Sequence, residues 1–202
     1  MKAIATAGLA FVLAGGASTG FAADAELQRL TTYVCATCHG VDGNSTSSAY
    51  PKLAGQQAVY IEHQLQAFKE RKRDDPPARA YMYGFSSQLT PDVMKKLAAY
   101  YAAQAPMSGK GGDDAAMQEG KAIWEEGLPQ HAVPACKICH GANAEGKDFY
   151  PRLAGQYPEY LLKQMLFFQS ATRSNAPIMH GVTDAMNFAQ MQAVANYAAS
   201  RR

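Results

Sequence analysis

All four cysteines and two of the five histidines stand in two copies of one pentapeptide, Cys35-Ala36-Thr37-Cys38-His39 and Cys136-Lys137-Ile138-Cys139-His140, 101 residues apart and each followed by glycine. In a helical turn, positions i, i+3 and i+4 share a face. Two thiols so placed can form thioethers with the vinyl groups of one porphyrin while the histidine ring swings under it to ligate iron. A bare Cys-x-x-Cys also suits a redox dithiol or half of a zinc site. Histidine directly after the second cysteine, in both copies, favours covalent haem. A zinc site built from all four cysteines would leave the two adjacent histidines unexplained, and a pair of structural disulfides is the third reading.

One histidine supplies one axial position; the opposite ligand decides whether the iron transfers electrons or binds small molecules. A methionine thioether is soft and favours reduced iron. Of the nine methionines, two pairs recur at an offset of 97: Met82 with Met179, and Met94 with Met191. Met94 shares a helix face with Leu97 and Ala98, and Met191 with Val194 and Ala195, so that pair reads as core. Met82 and Met179 follow Asp75-Pro76-Pro77 and Ala176-Pro177 in approaches expected to be irregular. A loop there can carry sulfur over a flat ring, which assigns Met82 and Met179 as the distal ligands.

His180 adjoins Met179, but Tyr83 holds the equivalent place in the first half, so His180 reads as exposed or hydrogen-bonded. His63 pairs with Lys163 and gains no ligand role; His131 has no counterpart and stays open. A ligating histidine needs an acceptor for its other ring nitrogen. A carbonyl of the recurring Tyr-Pro turn, at Pro51 and Pro151, could provide it.

The elements that must position these groups also come twice. Tyr50-Pro51-Lys52-Leu53-Ala54-Gly55-Gln56 returns as Tyr150-Pro151-Arg152-Leu153-Ala154-Gly155-Gln156, and Tyr60, Gln64, Phe68 and Arg73 match Tyr160, Gln164, Phe168 and Arg173 at the same offset of 100. Helices are expected over 24–37, 59–70 and 91–104, then over 114–125, 158–170 and 188–200, with Thr90 as an N-cap before Pro91. No segment alternates well enough to read as a strand. Residues 24–107 and 114–202 form two expected domains, joined by a glycine-rich linker over 108–113. The linker is short, which favours a fixed pair of domains over independent beads.

Residues 1–23 read as an export signal: Lys2, an apolar stretch from Ala3 to Leu13, then small residues before a cut near Ala22 or Ala23. The apolar run is short for a membrane span and is broken by Gly15, Gly16 and Ser18. Nothing later approaches a span, so the mature chain is expected to be soluble. The formal charge of +2 falls to about +1 without Lys2, which gives no reason to expect a nucleic-acid partner. The run Lys69-Glu70-Arg71-Lys72-Arg73 reads as a solvated helix end.

The ordered set of CxxCHG, YPxLAGQ with a tyrosine four positions beyond the glutamine, a following methionine and an alanine-rich last helix, all present twice, resembles the dihaem cytochrome c4 family over essentially the whole mature chain. The resemblance implies an all-α protein of two tandem class I cytochrome c domains related by a pseudo-twofold axis, with two covalent haem c groups. It further implies a periplasmic carrier, not an enzyme, passing electrons from a membrane respiratory complex towards a terminal oxidase. The chain departs from the family at Ala80-Tyr81-Met82 and Pro177-Ile178-Met179, where an Asn-Pro-Met-Met-like approach is common. The first helix of the first half also lacks the Gly120-x-x-x-Trp124 pattern of the second. Two other readings stand beside the carrier: an electron-accepting subunit of a flavocytochrome c sulfide dehydrogenase or other sulfur-oxidising dehydrogenase, with a flavoprotein partner, and a dihaem peroxidase needing an open iron.

Overall fold

The structure is a computed structural model that describes residues 25–109 and 115–202. The expected export signal, and the linker beyond Gly109, lie outside the described residues. Helices dominate, and the only β pairings among the described residues are isolated bridges, Leu128 with Val133 and Lys147 with Tyr150.

In the first half the chain passes through a π-type turn, Leu30–Val34, into α1 (Ala36–His39), followed by α2 (Ala58–Lys69). A second π-type turn, Ala78–Met82, runs into α3 (Tyr83–Ser87), and α4 (Pro91–Ala102) closes the half. The second half contains α5 (Ala115–Glu126), α6 (Lys137–His140), α7 (Pro158–Gln169), α8 (Pro177–Asp184) and α9 (Phe188–Ser200). The helix expected over 24–37 gives way to the π-type turn and a turn at Cys35 before α1, while the other expected helices are found with bounds within one or two residues.

The caps explain two of these starts. Thr90 accepts a hydrogen bond from the Val93 amide at 3.3 Å, with Pro91 pre-set for the first turn. Asn187 and Gln190 close a reciprocal capping box at the start of α9. Each half then buries its own core. Leu30, Ile61, Val93, Met94, Leu97 and Tyr101 meet in the first, and Trp124, Leu161, Met191, Val194 and Tyr197 in the second. Met94 and Met191 are each only 1% exposed, so both are core residues as their helix faces imply.

The two halves are joined by hydrogen bonds that follow the repeat. Gln56 donates through Nε2 to the Arg152 carbonyl at 2.9 Å and accepts from the Arg152 amide at 2.7 Å. Gln156 does the same to Lys52, donating at 3.0 Å and accepting at 3.1 Å. Each side-chain amide thus imitates a strand partner for the opposite copy of the YPxLAGQ segment. The Lys52 ammonium adds a bond to the Gly155 carbonyl at 2.7 Å. The start of the connection is pinned as well: Asn44 bonds Ala105 and Met107, and the Gly109 amide donates to the Arg201 carbonyl at 3.1 Å.

The glutamine clamp predicts a measurable loss. Changing Gln56 and Gln156 together to Ala removes all four bonds between the halves and takes the acceptor from four backbone amides, those of Lys52, Arg152, Gln57 and Tyr157. At roughly 1 kcal/mol per bond, denaturant unfolding should show a loss of about 3–5 kcal/mol, with helicity retained in each half. An unchanged unfolding midpoint would show that the clamp contributes nothing to docking.

Candidate functional site

Each pentapeptide forms one turn of helix, α1 or α6, and the glycine after it ends that turn. Gly40 and Gly141 take φ of +80° and +84°, a conformation that strains a residue with a side chain. The first turn is entered through the π-type turn, where the Cys35 amide donates to the Leu30 carbonyl at 2.8 Å. All four thiols are free and half-buried. Burial pushes the Cys35 thiol up and raises Cys136 to about 11, opposite to the lowered value of an activated redox cysteine. Among the described residues no three His, Cys, Asp or Glu side chains converge as a metal-ion site. The four-cysteine zinc reading therefore lacks its geometry, because the two motifs do not meet.

The histidines show the strongest order. His39 and His140 are both buried at 8% exposure, and their Nδ1 atoms lie 2.8 Å from the Pro51 carbonyl and 3.1 Å from the Pro151 carbonyl. A carbonyl accepts only, so Nδ1 carries the proton and donates, which leaves Nε2 with its lone pair. Burial lowers the pKa of both rings against the opposing pull of those carbonyls, which favours the neutral, ligating form. Tyr50 and Tyr150 stand edge-on to these rings at 6.3 and 6.1 Å. In the second half Trp124 also packs on His140, at 6.2 Å, and its buried indole Nε1 has no protein partner.

Met82 and Met179 are half-buried, and they sit on helical segments, which corrects the expected loops. Met82 ends the π-type turn and Met179 lies in the first turns of α8. The prolines do not interrupt here: Pro177 occupies the start of α8, where its fixed φ suits a helix and its missing N–H costs nothing. The Met82 carbonyl accepts from the Ser86 hydroxyl at 2.6 Å and the Met179 carbonyl from the Thr183 hydroxyl at 2.8 Å, and both hydroxyl residues are fully buried. Tyr50 lies edge-on to Tyr81 at 6.2 Å as well as to His39, which ties the Met82 segment to the first motif. His180 is exposed, with Nδ1 2.8 Å from the Phe168 carbonyl. His63 and His131 are exposed too.

A buried polar cluster between the halves escaped the sequence reading. Arg73, placed above at a solvated helix end, is 6% exposed, and its repeat partner Arg173 is 4% exposed. Each guanidinium reaches across the boundary. Arg73 donates to Gln64 at 3.0 Å and Gln164 at 3.1 Å, and Arg173 to Gln164 at 2.6 Å, Gln64 at 3.0 Å and the Tyr60 hydroxyl at 3.0 Å. Each also covers the phenylalanine of its own half, Phe68 at 4.7 Å and Phe168 at 4.5 Å. Burial would raise the Tyr60 phenol, but Arg173 and Arg73 outweigh it and draw its pKa down. The signal available in the sequence was the identity of Tyr, Gln and Arg in both copies: polar residues repeated on helix faces meet each other across a pseudo-twofold axis.

This donor set fits haem c. Two thiols and a neutral imidazole leave one helical turn on a shared face, a thioether is carried by a neighbouring segment, and Trp124 Nε1 is an unused buried donor. Comparisons agree. The cytochrome c family model matches residues 19–103. Cytochrome c-552 of Acidithiobacillus ferridurans is 37% identical over 192 residues, covering 94% of this chain and 83% of the relative. Cytochrome c4 of Stutzerimonas stutzeri is 33% identical over 186 residues, 87% of this chain and 88% of the relative. A protein of Thiomonas intermedia described as a thiosulfate dehydrogenase electron acceptor is 35% identical over 174 residues, 83% of this chain and 78% of the relative. The crystal structure of reduced recombinant cytochrome c4 from Pseudomonas stutzeri superposes with a TM-score of 0.78 at 31% identity, over 89% of this chain and 98% of that one. Repeated haem-attachment motifs, an all-helical fold in two like halves and relatives matched along nearly their whole length lead to one assignment: the chain belongs to the dihaem cytochrome c4 family, whose members transfer electrons and are not enzymes.

Proposed function

We propose that the chain is an exported, soluble dihaem electron carrier of the periplasm, with one haem c joined to Cys35 and Cys38 and a second to Cys136 and Cys139. His39 and Met82 would ligate the first iron, and His140 and Met179 the second. The bound haem supplies a one-electron Fe(II)/Fe(III) couple. The chain's own residues do the rest: the thiols would fix the ring, the Pro51 and Pro151 carbonyls hold each imidazole in the ligating tautomer, and the methionine thioethers would keep small molecules from the iron. The observation that carries this reading is the pair of buried histidines, each with Nδ1 committed to a proline carbonyl and Nε2 left free, in both halves. Among the described residues no helix is long and apolar enough to cross a membrane, which suits a carrier moving between membrane complexes.

Its direction is from a membrane respiratory complex towards a terminal oxidase. The test is turnover: the reduced protein should be oxidised by membranes containing the oxidase, and failure with active membranes would remove that partner. A second reading, an electron-accepting partner of a sulfur-oxidising dehydrogenase, is favoured by the similarity to the thiosulfate dehydrogenase electron acceptor. Native purification separates the two, since a stable dehydrogenase or flavoprotein subunit that reduces this chain with thiosulfate or sulfide supports the second.

A further inference from the structure

At one buried position of the last helix the two halves part company. Tyr101 on α4 is 2% exposed, and its repeat partner at the offset of 97 is Ala198 on α9. The facing loop differs to match. Gly43 has a φ of +77°, and a Cβ there would lie 2.8 Å from the Tyr101 Cδ1, whereas the second half has Ala144 in that place, fully buried opposite the smaller side chain. The phenol ring of Tyr101 is thereby confined. Gly43 bounds it on one side, Tyr100 stands edge-on at 5.1 Å, and the Tyr101 carbonyl accepts from the Gly55 amide at 3.0 Å.

The hydroxyl on this confined ring is directed at the first haem-attachment cysteine. Cys35 packs against the same core as Tyr101, and while burial pushes the Cys35 thiol up, the Tyr101 hydroxyl beside it draws it back. Burial also raises the Tyr101 phenol, so the proton stays on the oxygen. Yet Tyr101 Oη is buried without a well-directed hydrogen bond. Such a hydroxyl costs stability until it finds an acceptor. A thioether sulfur has lone pairs and no proton, so towards it the phenol can only donate. Cys136, the matching cysteine, lies instead against the Ile123 carbonyl at 3.9 Å, which is itself an acceptor, and Ala198 brings no hydroxyl.

We infer that Tyr101 is a positioning residue for the first haem: its hydroxyl donates to the Cys35 sulfur once that sulfur is a thioether, and draws electron density from one edge of the ring. The inference rests on the dihaem reading above. Withdrawal of density favours the reduced iron, as hydrogen bonding around a metal centre does generally.

The experiment compares the intact holoprotein with Tyr101→Phe, which keeps the ring and its packing and removes only the hydroxyl. Haem content is read first: a ratio other than two per chain overturns the dihaem reading and the inference with it. With two haems present, proton NMR of the reduced protein should show a slowly exchanging phenol proton with cross-peaks to the Cys35 β-protons, absent from the variant. The variant should also lower the potential of one haem, leave the other unchanged, and unfold at a lower denaturant concentration. A phenol proton that exchanges at the solvent rate or bonds another acceptor overturns the inference alone. So do potentials unchanged or equally shifted at both haems, or a raised unfolding midpoint, the mark of a hydroxyl buried without a partner. The NMR signal is read on the unaltered protein, so it decides the matter even where the variant fails to fold.

Discussion

Met179→Ala is expected to abolish half of the methionine-to-iron charge-transfer absorption, lower the potential of one haem only, and allow carbon monoxide to bind that haem in the reduced protein. The argument rests on what the neighbouring groups already do. The Met179 backbone is held by Thr183, leaving its half-buried thioether as the soft group offered by the start of α8. Loss of a thioether removes the preference for reduced iron and opens a coordination position. His180 is the competing ligand, but its Nδ1 is bonded to the Phe168 carbonyl across to α7 and its ring is exposed. His180→Ala should therefore keep the full absorption band and cost about 1 kcal/mol or less from one hydrogen bond. The reverse pattern, with the band halved by His180→Ala and spared by Met179→Ala, would reassign the second iron.

Gly120→Ala is expected to destabilise the second half, although alanine normally improves a helix interior by roughly 0.5–1 kcal/mol over glycine. Here a Cβ would run into the Ala193 carbonyl and lie 2.8 Å from the Tyr197 Cβ, both on α9. Backbone cannot yield as a flexible side-chain tip can. The helices would have to part, and overpacking of this kind costs about 1–3 kcal/mol. For a half of this size that corresponds to a thermal midpoint lower by roughly 4–8 °C per kcal/mol. The change also reaches the site, because Trp124, one turn along α5, packs between Tyr197 at 6.0 Å and His140 at 6.2 Å. Gln118→Ala, on the exposed side of the same helix, should stay within about 0.5 kcal/mol of the parent. Equal midpoints for the Gly120 and Gln118 variants would show that α5 and α9 have room to spare.

The parts of the site legible in the sequence are those set by local spacing. CxxCH places its three groups on one turn whatever surrounds it, and the repeat separates core methionines from candidate ligands without tertiary information. The role of the Tyr-Pro turn was also readable, since a ligating imidazole needs an acceptor and the turn proline recurs after both motifs, at Pro51 and Pro151. The expected irregular approach to Met82 and Met179 failed because proline was read as a breaker, when at a helix start it is pre-organising. Arg73 was misplaced for a different reason. A charged run after a helix reads as solvated unless its partners are known, and two of those partners, Gln164 and Tyr160, lie in the other half of the chain. The same distance hid the Gln56 and Gln156 clamp, whose bonds span 96 to 104 residues of sequence.

The central claim is two covalently held haems per chain, and the most direct measurement is the haem-to-protein ratio of denatured protein after an acid-acetone wash, paired with the intact mass. The account predicts that the colour stays with the polypeptide at a ratio of two. Haem extracted into the acetone, a ratio of one, or zinc recovered in place of iron would contradict it.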